Sequence, residues 1–117
     1  MKIIENGQTI SIEELSQMAE RMFGNLVKAV VDIEKSFVAL DAEMHADEET
    51  ELIKAGSKQT DLWGINLYPE LFGSEDFVEF DSMINLRPSQ NNRSRGVEDE
   101  KIRKKIIHII NAAIKTS

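Results

Sequence analysis

Apolar residues recur every three or four positions towards the two ends of this chain and every second position through its middle. That change of period predicts helices at the ends and strands between them. Ile3 and Ile4 precede the turn dipeptide Asn6-Gly7, which reads as an edge strand and its turn. Ser11-Ile12-Glu13-Glu14 has the form of a capping box, in which the Ser11 hydroxyl accepts from the Glu14 amide and the Glu14 carboxylate returns the bond. Behind it Ile12, Leu15, Met18, Ala19 and Met22 share one helical face, and Gly24 supplies the stop.

The period then falls to two. Val27, Ala29, Val31 and Ile33 alternate with Lys28, Val30, Asp32 and Glu34, and after Glu34-Lys35-Ser36 the pattern resumes at Val38, Leu40, Ala42 and Met44, opposite Asp41, Glu43 and His45. This predicts a hairpin. Asp47 is placed to cap a short helix through Ala55, closed by Gly56. A third strand covers Asp61 to Tyr68, with Trp63, Ile65 and Leu67 on one face and Gly64, Asn66 and Tyr68 on the other. The fourth is the most regular: Val78, Phe80, Ser82, Ile84 and Leu86 alternate with Glu79, Asp81, Met83, Asn85 and Arg87. A final helix runs from about Glu98 towards Thr116, with Ile102, Ile106, Ile109, Ile110 and Ala113 in its stripe. Arg103 falls inside that stripe, leaning back towards the helix start.

These elements imply an α+β fold: a two-layer sandwich with a mainly antiparallel four-stranded sheet, five-stranded if the N-terminal edge strand joins, and the N- and C-terminal helices packed on one face. The opposite face collects Asp32, Asp41, Glu43, His45, Asn66, Asp81 and Asn85, to be met by solvent, a ligand or a second subunit. Residues 1–117 suit a single domain. No apolar window reaches the length of a membrane span and no signal-peptide layout opens the chain, so a soluble, cytoplasmic protein without membrane contact is expected. The absence of cysteine excludes disulfides and thiolate chemistry.

Charge is unevenly spread. Residues 1–86 carry 6 Lys/Arg against 18 Asp/Glu, and residues 87–117 carry 8 against 3. An acidic body argues against general nucleic-acid binding, while a basic end leaves room for a local anion site or for pairing with acidic surface on a second copy, as in a homodimer. Arg87, Arg93 and Arg95 stand among Pro88, Ser89, Gln90, Asn91, Asn92 and Ser94 with no acid between them. Guanidinium forks and small residues of that kind can cradle a phosphate-bearing ligand. The candidate ligand-binding set is therefore Arg87, Arg93 and Arg95, assisted by Asn66, Asn85 and Arg103. Glu98, Asp99 and Glu100, in the first turn of the final helix, are competing partners for the same arginines. An alternative metal set is His45, Glu43 and Asp81, on an H-x-D spacing too common to be specific. No nucleophile elbow and no glycine-rich phosphate loop is present, and no cofactor is predicted.

The strings His45-Ala46-Asp47, Asp61-Leu62-Trp63-Gly64-Ile65-Asn66-Leu67-Tyr68-Pro69, and Asp81 to Pro88 continued by Asn92-Arg93-Ser94-Arg95-Gly96-Val97 resemble a family of small bacterial and archaeal proteins known only as a domain of unknown function. The resemblance spans nearly the whole chain and implies a stand-alone intracellular domain. It carries no activity, substrate or catalytic residue. Three readings follow from the residues: an anion-binding domain, a metal-dependent phosphoester hydrolase using the acidic sheet face, and a non-catalytic self-associating protein. Whether the protein is an enzyme is open at this stage.

Overall fold

Ser11 caps the first helix as its motif predicts, its hydroxyl accepting from the Glu14 amide at 3.1 Å. The Glu14 carboxylate does not return the bond; it pairs instead with Lys2 Nζ at 2.8 Å. In the computed structural model, which describes residues 1–116, the elements in order are β1 (Lys2–Ile4), β2 (Ile10–Ser11), α1 (Ile12–Met22), β3 (Val27–Asp32), β4 (Phe37–Leu40), α2 (His45–Lys54), β5 (Leu62–Leu67), β6 (Val78–Glu79), α3 (Glu100–Ala113) and β7 (Ile114–Lys115). Gly24 ends the α1 segment at φ +91°, its amide reaching the Ala19 carbonyl.

The sheet has the order β1-β4-β3-β5-β6 with every pair antiparallel, so the chain is an α+β sandwich with five strands. Alternation along the strands divides the core in two. Ala29, Val31, Val38, Leu40, Ile65 and Leu67 face α1 through Leu15, Met18 and Ala19, and face α3 through Ile106, Ile109 and Ile110. On the other face Val30, Ala39 and Leu62 pack against Leu52 of α2, with Ile84 beside them. The short helix thus covers part of the face expected to lie open or to await a partner. Asp32, one of that face's acids, is fully buried and spent locally: it accepts from the Glu34 and Lys35 amides and from the Ser57 hydroxyl.

Several element ends depart from expectation. The second hairpin strand stops at Leu40 and does not continue to Met44, and α2 begins at His45 with Met44, not Asp47, at its N-cap. The final helix stops at Ala113, because Ile114 turns extended and pairs in parallel with Ile10, burying both side chains and joining the two ends of the fold. The most regular alternation in the sequence gives only the two-residue strand β6. Beyond it the chain folds over β5 in a 3-10 turn at Met83–Asn85, capped by the Ser82 hydroxyl on the Ile84 amide at 3.2 Å. The crossing needs Gly64: a Cβ there would lie 2.6 Å from both Ser82 Cβ and Oγ. Apolar alternation reads as a strand whichever partner buries the apolar side chains, and here the partner is the face of the sheet rather than its edge. Gly64→Ala is expected to cost about 1–3 kcal/mol through this overpacking, read as a lower urea midpoint with an unchanged slope.

Candidate functional site

Beyond β6, the outer edge of β5 has no neighbouring strand, and side chains of the arginine loop take its place. Asn85 is fully buried; its amide accepts from Gly64 N at 2.8 Å and donates to Gly64 O at 2.9 Å and to Arg95 O at 2.9 Å. It pairs with β5 as a strand residue's peptide group would. Arg87 continues the edge: one guanidinium nitrogen donates to Leu62 O, Nε donates to Ile84 O at 3.0 Å, and the group lies 4.7 Å over the Trp63 ring. Glu49 is its nearest carboxylate, at 3.8 Å, and burial of the guanidinium pulls the Arg87 pKa below its usual value.

The loop closes on itself by an antiparallel bridge between Arg87 and Asn92, with N–H to O distances of 2.8 and 3.1 Å. Asn91 takes the left-handed φ of +62° that this tight turn requires. Asn92 is the hub. Its Nδ2 donates to the carbonyls of Asn85, Ser94 and Gly96, and its Oδ1 accepts from Glu98 N. The amides that looked free for a ligand therefore hold the loop together.

The six predicted ligand contacts separate accordingly. Asn85 and Arg87 are buried in the β5 edge. Asn66 is buried too, donating to Glu79 at 2.8 Å. Arg103 bends back from α3, as its position in the stripe foretold, and donates to Val97 O at 2.5 Å and Glu98 O at 2.9 Å. The Glu98 carboxylate takes the Arg93 backbone amide, Asp99 caps α3 and Glu100 pairs along the helix with Lys104, so these acids leave the arginine side chains alone. Arg93 points to solvent with no side-chain partner among the described residues. Arg95 meets Asp81 at 2.6 Å, both side chains about half exposed. Of the metal set, His45 is buried and Glu43 exposed, and among the described residues no group of three or more His, Asp or Glu is placed to hold a metal ion.

What the fold does bring together is a cleft of about 150 Å³ between the start of α2 and the Ser82–Ile84 crossing. Lys28, His45, Ser82 and Arg95 supply its polar lining, and Met44 and Met83, both largely exposed, its apolar rim. Met44 occupies the N-cap of α2 and offers no side-chain acceptor, so the His45 and Ala46 amides have no side-chain cap at the cleft, while Asp47 and Glu48 in the same turn offset part of the helix dipole. Burial pushes the His45 pKa down, and the positive charges of Lys28 and Arg95 add to the push; the bond to the Ile65 carbonyl and the charge of Asp81 oppose it. Lys28 and Ser82 were not among the predicted site residues. Lys28 pairs in register with Asn66 on the same face, which strand alternation implied, but only the turn at Met83–Asn85 brings Arg95 and Ser82 over it.

No curated protein and no solved structure matches the chain. The family described as Protein of unknown function (DUF5674) matches residues 2–113, nearly the whole length, and the chain belongs to that family.

Proposed function

We propose that the protein binds a small oxyanion of the phosphate class in the cleft between α2 and the Ser82–Ile84 crossing. The observation that carries this reading is the meeting of Lys28, Arg95 and the uncapped start of α2 at one cleft. Each comes from a different part of the chain, and Lys28 lines the cleft with its ammonium 5.1 Å from the Phe23 ring centroid. Arg95 is the one arginine of the loop that lines this cleft, and its Nε donates to Asp81. The volume admits a phosphate group and a few further atoms, well short of the roughly 300 Å³ at which drug-sized pockets begin. The exposed thioethers of Met44 and Met83 suit an apolar substituent at the rim.

Isothermal titration of the protein with inorganic phosphate at low ionic strength tests this. Arg95→Ala and Lys28→Ala should each weaken binding by about tenfold or more, the usual effect of losing a charge-assisted hydrogen bond. Asp81→Asn should strengthen it, since Asp81 competes for the same guanidinium. Absence of phosphate binding, or binding that both cation substitutions leave unchanged, would refute the reading.

A further inference from the structure

We propose that the cleft selects oxyanions carrying a proton or hydroxyl, hydrogen phosphate over sulfate, with His45 Nδ1 as the acceptor that reads the proton. The inference rests on the cleft being an anion site and goes on to say which anions it takes. His45 is 8 % exposed, and its Nε2 lies 2.7 Å from the Ile65 carbonyl oxygen. A carbonyl only accepts, so Nε2 carries the ring proton and Nδ1 of the neutral imidazole holds a lone pair. Nδ1 has no partner among the described residues, and the histidine lines the cleft. Solvent reaches Nδ1 in the open cleft, and a ligand seated against it displaces that water, so in the complex only a donor on the ligand satisfies it.

The rest of the cleft wall is mainly donors. Lys28 and Arg95 have no acceptor capacity, and Ser82 Oγ, which already accepts from Ile84 N, keeps its own proton to donate and a single lone pair. An oxyanion bearing one P–OH can therefore accept from the cations and donate to Nδ1 at once. Sulfate has the same shape, and at mildly alkaline pH the same double charge, but no proton. Seated in the cleft it would place an oxygen lone pair against the lone pair of Nδ1.

Competitive titration with inorganic phosphate and sulfate at pH 8 separates the possibilities. The expected result is phosphate bound about tenfold or more tightly than sulfate, the discrimination one unsatisfied buried acceptor produces. The ¹⁵N resonance of His45 Nδ1 should move on adding phosphate and stay in place on adding sulfate, with exposed His108 as internal reference. His45→Ala should bring the two anions to equal affinity; the nitrogen resonance gives the same answer without a variant. Equal binding of both anions by the unaltered protein, or phosphate binding without movement of Nδ1, would overturn this inference while leaving the anion site standing. Binding of neither would overturn the site itself.

Discussion

Glu48→Gln is expected to stabilise the protein by about 3 kcal/mol at pH 7 and by under about 1 kcal/mol at pH 5. Glu48 lies on the inner side of α2, fully buried, with Oε2 accepting from Ala42 N at 3.2 Å and Oε1 unpartnered. Burial raises its pKa from 4.5 to about 9, opposed by the Ala42 hydrogen bond and by Lys28 on β3 and the chain's N-terminal amine, and helped by Asp41 after β4. Between those two values the folded protein holds a proton that the unfolded chain has released. The folded state thus binds more protons, and stability falls as pH rises from 4.5 towards 9. Each pH unit in that window removes about 1.4 kcal/mol. Glutamine keeps the shape and the acceptor for Ala42 N but has no proton to lose, so its advantage should grow with pH. Urea midpoints of the two proteins at pH 5, 7 and 8 decide it. Parallel pH profiles would mean that Glu48 is ionised in the fold and has a partner for its charge.

His45 works in the opposite direction on the same helix. Its pKa is lowered, so the folded state resists the proton that the unfolded chain takes up, and stability is lost as pH falls below the ordinary value of 6.5. Between the lowered His45 value and 6.5 the two slopes offset each other, so the rise in stability on acidification should level off there. They stand three residues apart, on the face of α2 turned to the sheet. Phosphate bound at the cleft would add its own stabilisation by mass action, so the urea series belongs in a phosphate-free buffer.

Local patterns gave a good account of what local physics decides. The Ser11 cap, the Gly24 stop, the hairpin from Val27 to Leu40 and the apolar face of α3 all follow from spacing and turn chemistry, and each is present. The direction of Arg103 was legible for the same reason, since helical side chains lean towards the helix start; the Val97 and Glu98 carbonyls it meets there were not. The longest misread part was Phe80 to Asn92, besides Asp41 to Asp47, where a strand end and an Asp47 cap were expected. A polar face of Asp81, Met83, Asn85 and Arg87 looks solvated in sequence, and nothing local says that β5 ends with an unpaired edge. Gly64 was the one clue: a glycine inside a strand marks the close approach of another piece of backbone. Followed through, it would have placed Ser82 against β5 and Asn85 beside it. The cleft is less legible still, because Lys28, His45 and Arg95 share no sequence neighbourhood and meet only through that crossing.

Asn85 carries the second large effect. Its side-chain amide makes two buried hydrogen bonds with Gly64 and a part-buried one with the Arg95 carbonyl, and so holds the edge of β5 and, together with the Ser82 amide, the backbone that presents Arg95 to the cleft. Asn85→Ala leaves the Gly64 N–H and the Gly64 carbonyl without partners, the Arg95 carbonyl keeping the Ser82 amide at 2.9 Å, and should cost on the order of 2–4 kcal/mol, a large share of the roughly 5–15 kcal/mol that holds a domain of this size together. Asn85→Asp is the sharper test. An aspartate can still accept from Gly64 N, but its second oxygen faces two carbonyl oxygens where the amide had donated. Ionised, it should be at least as damaging as alanine. Protonated, it regains one donor, so its folded pKa should rise above the usual 3.9 or so, and stability should recover as pH falls through that raised value. Relative to the parent at each pH, the alanine variant should show no such recovery, which urea midpoints from pH 4 to pH 8 would reveal. If aspartate were as stable as asparagine at pH 8, the amide would not be pairing with the edge of β5, and the Ser82 amide would be what anchors the Arg95 backbone.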